Sequence, residues 1–526
     1  MDRRNIVQVA VVVVILGISA FLLMRGGGGG VDGGVPPGDV DRGDNGVPQE
    51  AEDSEEETIV TETYGDGEVK ITLIVEVPGW TPPDDRIFVQ FDGFYGSMGW
   101  GVPMEEVEEG VWAVSFLAPG SRPLAYKYNR NNGGYPTDEE FEPDSMEARR
   151  TIAVASTPLV VNDTVSKWRW LEHPPPQTVI SDYVPEDLPE RNGSFVVGIH
   201  LLDFYSGSFD EHVGPTLDRI AEKGFDYVGF AYAPSFFTSS VPLDFTREPL
   251  NTYSREQLEQ AFSMARERGL KIMFSAGLET DPNDFEAIEE GLRQSHGDEW
   301  YAALAEEWRE IMVETAELAE SHGVEILALS NQWFFFGDQT PEQSALVNTL
   351  VKESIGEVND AYSGKLTMDF YMPSPYFDYY SELDWLGDKW WWGLTDSRDA
   401  TVTEMRDRAE EIIDEYYAPF YLEYGKPIFL QQLAYASYDG AAGANAISTE
   451  APEVSEYYPY DHSWPADFQE QADAYEAVFQ AISDEEMFVG VFAFSYTYWD
   501  THDKSTGFRG KPAEDVWVRW NEILTK

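Results

Sequence analysis

The sequence has no cysteine, only seven histidines, and 35 basic residues against 96 acidic ones. Without cysteine there is no disulfide, no thiol nucleophile, no thiolate metal site and no lipidated N-terminal Cys. His173, His200, His212, His296, His322, His462 and His502 show no i, i+4 pair or other ligand spacing. No histidine-rich metal site and no cofactor is therefore expected, while a calcium site built from carboxylates alone stays open. The shortage of positive charge leaves a formal net charge of −61, which repels nucleic-acid phosphate and anionic lipid head groups and argues against a nucleic-acid partner. The acid is spread along the whole chain instead of gathered in a tail. Such density is tolerated best where concentrated salt screens it, so a halophilic setting is the expectation and an ordinary solvated acidic surface the alternative.

What is present is a long chain, 526 residues and 42% apolar, enough for more than one domain and a large core. Arg3 and Arg4 precede an apolar run from Ile6 to Met24, which at ~1.5 Å per residue reaches ~28 Å, about a bilayer's hydrocarbon thickness. No small-x-small cleavage site follows, so the run reads as an uncleaved transmembrane signal anchor over 6–24. The arginines place a cytoplasmic stub at 1–5 and the bulk of the chain outside the cell, as a single-pass protein of the cell membrane. Residues 25–57, rich in Gly, Pro, Asp and Glu, read as a disordered tether.

Alternating runs such as "VKITLIVEV", "RIFVQFDG", "GVWAVSFLA", "LAYKYNRN" and "RRTIAVAS" predict a small all-β sandwich over 58–165. The order "VPGWTPPDDRIFVQ", "GVWAVSF" with Trp112, "LAYKYNR" with Tyr126 and Lys127, and "VNDTVSKWRW" resembles immunoglobulin-like starch-binding modules. After the "YKY" strand this chain has only "NRNNGG", without aromatics on which a sugar would stack, so a spacer role is expected of it. The proline-rich stretch "PPPQTVISDYVPEDLPER" marks a linker within 166–194.

From 195 to 526 the rhythm changes. The strand-like runs "FVVGIHLL", "FDYVGFAYA", "LKIMFSA", "VEILALSN", "KLTMDFYM", "LDWLGDKW", "PIFLQQLA" and "FVGVFAFSY" alternate with amphipathic helical stretches. Eight such units imply right-handed crossovers and an α/β fold, a (β/α)8 TIM barrel. Working residues of that fold sit where strands end. Strand four closes in Ser330, Asn331, Gln332 and Trp333, and strand seven in Gln431, Gln432, Leu433, Ala434 and Tyr435.

These segments, with "GLKIMFSAGLE", "YGKPIFLQQLAYASYDGAAG" and "GKPAEDVWVRW", resemble the clan A retaining glycoside hydrolases, most of all the family 113 β-mannanase type. The resemblance implies an Asn-Glu pair ending strand four as general acid/base and a Glu ending strand seven as nucleophile. Here Asn331 keeps the asparagine, Gln332 stands at the acid/base position and Gln432 at the nucleophile position, so no catalytic pair is intact. An amide is a poor acid and a poor nucleophile, while retaining hydrolysis needs two carboxyl groups ~5–5.5 Å apart. Glutamine nevertheless keeps the shape of glutamate and adds a donor. The expectation is carbohydrate binding without hydrolysis, a pseudoenzyme, through Asn331, Gln332, Trp333, Tyr371, Trp392, Gln432, Tyr435 and Trp499. The alternatives are an active glycosidase using displaced carboxylates or substrate assistance, and a structural surface scaffold. Glu279, Asp338, Asp369, Asp388, Asp439 and Asp500 are the carboxylates near strand ends, each expected to be an ordinary surface charge.

Overall fold

The computed structural model describes residues 68–525, apart from 92–100, 133–136, 142–147, 202–208, 281–284, 336–338, 371–375, 444–464 and shorter stretches. The apolar run Ile6–Met24 and the tether lie outside the described residues. Among those that are described, no helix is long and apolar enough to cross a membrane.

The first part is built from β1 (Glu68–Glu76), β2 (Ile87–Phe91), β3 (Val102–Pro103), β4 (Glu105–Glu108), β5 (Val111–Pro119), β6 (Leu124–Arg130), β7 (Arg150–Ile152) and β8 (Leu159–Thr164). They form two four-stranded sheets, ordered β4-β5-β1-β8 and β3-β2-β6-β7. In β1, Val69, Ile71, Leu73 and Val75 are buried and their neighbours are not, the period of two that a half-solvated sheet demands. Those residues pack with Ile87, Val89, Tyr126, Tyr128 and Trp168 into one core. Trp168 and Leu171 belong to that core, so the sandwich extends past Val165. Lys127 is buried in an ion pair with Asp138, and the Tyr126 and Tyr128 hydroxyls both donate to Asp163 (2.7 and 2.8 Å). The proline-rich stretch is pinned to the barrel: Arg191 donates to the carbonyl of Ser483 (2.7 Å), and Ile180 and Tyr183 pack on the barrel's core.

The second part contains the barrel strands β9 (Val196–Leu201), β10 (Tyr227–Tyr232), β13 (Lys271–Ala276), β15 (Ile326–Leu329), β16 (Lys365–Phe370), β17 (Trp385–Trp390), β18 (Ile428–Leu433) and β19 (Phe488–Tyr496). Between them β11 (Ser235–Thr238), β12 (Asp244–Thr246) and β14 (Glu279–Thr280) make a three-stranded sheet beyond the ends of β10 and β13. The eight barrel strands close in sequence order, each parallel to the next, β19 returning to β9. All eight runs expected from the sequence are strands.

Strand parity sorts side chains into two cores. Val197 and Ile199, Leu327 and Leu329, Leu366 and Met368, Leu386 and Trp390, Ile428 and Leu430 face the helices. Val196, Met273, Ile326, Ala328, Phe429 and Phe492 fill the barrel interior. A Cβ at Gly198 would overlap the Phe492 ring, so only glycine admits that aromatic across the interior. The helices are set by local signals: Ser254, Thr340 and Thr401 each cap one, answered by Gln257, Gln343 and Glu404 three positions on in reciprocal capping boxes.

Candidate functional site

The inner face changes from apolar to polar toward the C-terminal ends of the strands. Ile326 and Ala328 put Ser330 on the inner face beyond β15, and Thr367 puts Asp369 there on β16. On β17 the inner parity is Trp385, Gly387, Lys389. Lys389 forms an ion pair with Asp369 at 2.7 Å, the two side chains 9% and 1% exposed, and the Ser330 hydroxyl donates to the same carboxylate at 3.0 Å. From β9 comes His200, buried against Gly229. Burial, first, and the nearby Lys389 push its pKa down to about 4 despite a backbone hydrogen bond to Leu201, so the ring is neutral.

Both glutamines of β18 reach this layer because the strand is bulged. Leu430 pairs with Asp388 but Lys389 pairs with Gln432, so Gln431 is the extra residue. Gln431 is buried, its amide directed to the Thr367 hydroxyl (3.4 Å) over Gly387, where a Cβ would overlap it. Gln432, half-buried, shares the register position and hence the face of Lys389. Gln432, which the sequence resemblance assigns to the nucleophile position, thus lies beside a lysine.

The other expected site residues divide. Gln332 begins a 3-10 turn, Gln332–Phe335, directly after the strand-four end; its side chain, that of Trp333, and Tyr371 lie outside what is described. Asn331 follows the outward parity of Leu327 and Leu329, is 1% exposed, and donates to the Tyr379 hydroxyl at 3.2 Å. Tyr435 is fully buried, accepting from Trp390 Nε1 (2.9 Å) and donating to the Trp392 carbonyl (2.9 Å). Trp499 is buried against His212, ring centroids 5.6 Å apart. Asn331, Tyr435 and Trp499 are thus buried side chains, each with protein partners. Aromatics ending outward-facing parity pack on helices. Trp392 is half-buried, stacked on Tyr416 at 4.6 Å, with its indole N–H donating to Tyr417 (3.1 Å).

The carboxylates near strand ends are corrected. Glu279, Asp369 and Asp388 are buried, not surface charges. Glu279 accepts from Ser235 (3.0 Å), and Asp388 faces the helix layer, where Tyr417 donates to it. Asp500 pairs with Arg509 (3.0 Å) and Asp439 with Arg398 (2.8 Å). Asp338 lies outside the described residues. Among those described, Asp439, Asp467 and Glu470 converge as a possible cation group. Each has a protein partner: Glu470 takes the backbone N–H groups of Gly440 (2.6 Å) and Ala442 (2.8 Å), and Asp467 caps the helix Phe468–Ser483. Local structure accounts for this cluster.

The inner Lys389–Asp369 pair was missed in the sequence. "LDWLGDKW" carried the signal, because counting parity from Trp385 puts Lys389 inside and Asp388 outside.

No protein-family model matches the sequence, and no curated protein shows significant similarity to it. Solved structures are similar in chain path. A family 113 β-mannanase from Alicyclobacillus acidocaldarius is 19% identical, with 63% of this chain and 99% of that one aligned at a TM-score of 0.47. A fungal β-1,4-galactanase is 12% identical over 62% of this chain and all of its own, TM-score 0.40. The β-glucuronidase of Bifidobacterium dentium is 11% identical over 83% of this chain and 60% of its own, TM-score 0.40. Likeness at this level describes the path of the backbone and transfers no activity.

Proposed function

We propose that this chain is a membrane-anchored extracellular protein whose glycoside-hydrolase-like barrel binds carbohydrate without hydrolysing it. One observation carries the reading: on the inner face Gln432 lies in register with Lys389, and Asp369, the carboxylate on that face, is locked to Lys389 and Ser330; the sequence resemblance assigns Gln432 to the nucleophile position. Double displacement needs one carboxyl group to protonate the leaving oxygen and a second to attack. Glu279, Asp388, Asp439 and Asp500, the described candidates for displaced roles, are each held by a protein partner. The polar layer of amides, hydroxyl and paired charge retains the donors and acceptors that sugar hydroxyls use.

The test is the full-length chain against a panel of β-linked oligosaccharides at low and high salt. Binding without hydrolysis is expected, and Gln332→Glu with Gln432→Glu together are expected to create measurable cleavage that neither achieves alone. Hydrolysis by the unmodified protein overturns the reading. Absence of any binding moves the assignment to a surface scaffold. The anchor is tested separately: deleting residues 1–30 is expected to move the protein from the membrane to the soluble fraction.

A further inference from the structure

We propose that Lys389 and Gln432 together receive the carboxylate of an acidic saccharide, a uronic acid unit; the inference rests on the carbohydrate-binding reading and names its ligand class. Lys389 is the fifth residue of the six in β17, at the end of the strand where a barrel's ligands enter. Lys271 and Lys365 instead begin their strands at the opposite end, one over the Tyr227 ring (5.0 Å), the other paired with Asp384 (2.9 Å).

Within the Lys389–Asp369 pair the acid is the deeper partner, 1% exposed against 9%. Of the two groups the ammonium is therefore the more exposed. Asp369 is held from the side by Ser330 and serves as the counter-charge that makes burial of the lysine tolerable in the unliganded state.

The cross-strand neighbour decides the sign of the mouth. Gln432 is in register with Lys389, on the same face, one strand spacing of ~4.8 Å away. A carboxylate at 432, as in the resembled family, would give Lys389 a second anionic partner beside Asp369 and leave the group net negative. The amide leaves the Lys389–Asp369 pair balanced and adds N–H donors beside the ammonium. Ammonium and amide side by side suit the two oxygens of a carboxylate. His200, near enough to feel the Lys389 charge and neutral, adds no charge of either sign. Elsewhere a chain of −61 repels an anionic glycan, so any attraction is local to this pair.

The experiment is isothermal titration of the full-length chain, at fixed ionic strength, with an oligouronate, a neutral β-manno-oligosaccharide and a sulfated neutral oligosaccharide of equal length. The oligouronate is expected to bind about tenfold tighter or better than the neutral sugar. Gln432→Glu is expected to abolish that preference, read as the ratio of uronate to neutral-sugar affinity within the same variant. The double change Asp369→Asn with Lys389→Met, which keeps the layer uncharged, is expected to do the same. Equal or tighter binding of the neutral sugar by the unmodified chain overturns the inference and leaves the carbohydrate reading standing. Preference for the sulfated ligand over the uronate overturns the assignment to carboxylate. Failure to bind all three overturns both.

Discussion

Asp388 is a carboxylate buried where its ionised form is disfavoured. It sits on the helix side of β17 under Tyr417, whose hydroxyl also accepts from Trp392 Nε1 and whose ring stacks on Trp390 at 5.4 Å. Burial pushes its pKa up to about 8; the Tyr417 and Lys389 hydrogen bonds pull it down without prevailing, and the Asp369 charge adds to the rise. The folded state therefore holds a proton that the unfolded chain releases near pH 4. Stability from this group is full below that point, falls as pH climbs to about 8, and is level above. Asp388→Asn removes the ionisation and keeps the shape. Relative to the parent it is expected to gain about 1–3 kcal/mol between pH 5 and pH 8, read from urea unfolding at the two pH values. An equal displacement at both would mean the carboxyl does not titrate in that window. Asp369 has the opposite role. Asp369→Asn strands Lys389 without its counter-charge and is expected to cost about 3–5 kcal/mol in the same assay.

Among elements, the sandwich and the barrel are joined by polar contacts at fixed places. Arg130 on β6 is buried in an ion pair with Asp85, and its second nitrogen donates to the Asp500 carbonyl at 3.2 Å. The backbone N–H of His502 donates to the Trp170 carbonyl (2.6 Å), that of Glu172 to His502 Nδ1 (3.0 Å), and Lys504 lies over the Trp170 ring at 5.6 Å. An arginine shared in this way couples two cores. The parent is expected to unfold in one calorimetric transition, and Arg130→Met to be less stable by about 3–5 kcal/mol and to split the transition. Two transitions in the parent would show the units to be independent. The same seam explains what the sequence could and could not convey. Period-two runs and capping residues are local, and they made all eight barrel strands and β1, β2, β5 and β6 legible. The burial of Trp499 and Tyr435 was not legible, because proximity to a strand end does not tell inner from outer parity. Gln432 was the reverse case: simple alternation from Leu430 puts it outside, and only the bulge at Gln431, a property of pairing with β17, turns it inward.

At the scale of the whole molecule the charge of −61 dominates, and it acts differently on surface and interior. Like charges spread over the surface repel across a Debye length of ~10 Å at 0.1 M salt, which shrinks to ~3 Å at 1 M. Buried pairs such as Lys389–Asp369 and Lys511–Asp503 (3.1 Å) are screened far less. Added salt therefore relieves repulsion while leaving the internal pairs in place, and the melting temperature is expected to rise steadily from 0.1 M to 2 M potassium chloride. Chloride is the informative choice, because sulfate strengthens apolar burial in any protein. Acid has a separate effect. His200 and His212 are both pushed down to about 4 by burial, and His502 is lowered for the same first cause. Each is neutral when folded, so its stabilisation is full above about pH 6.5 and is lost as pH falls through the folded value. Between pH 6.5 and 5 most surface carboxylates stay ionised, so this loss is not offset by reduced repulsion. High salt is then expected to lift the whole curve without removing its acid limb. A melting temperature that stays flat or falls with potassium chloride would mean the surface acids are already neutralised by local partners, and that the net charge has no part in the stability of the fold.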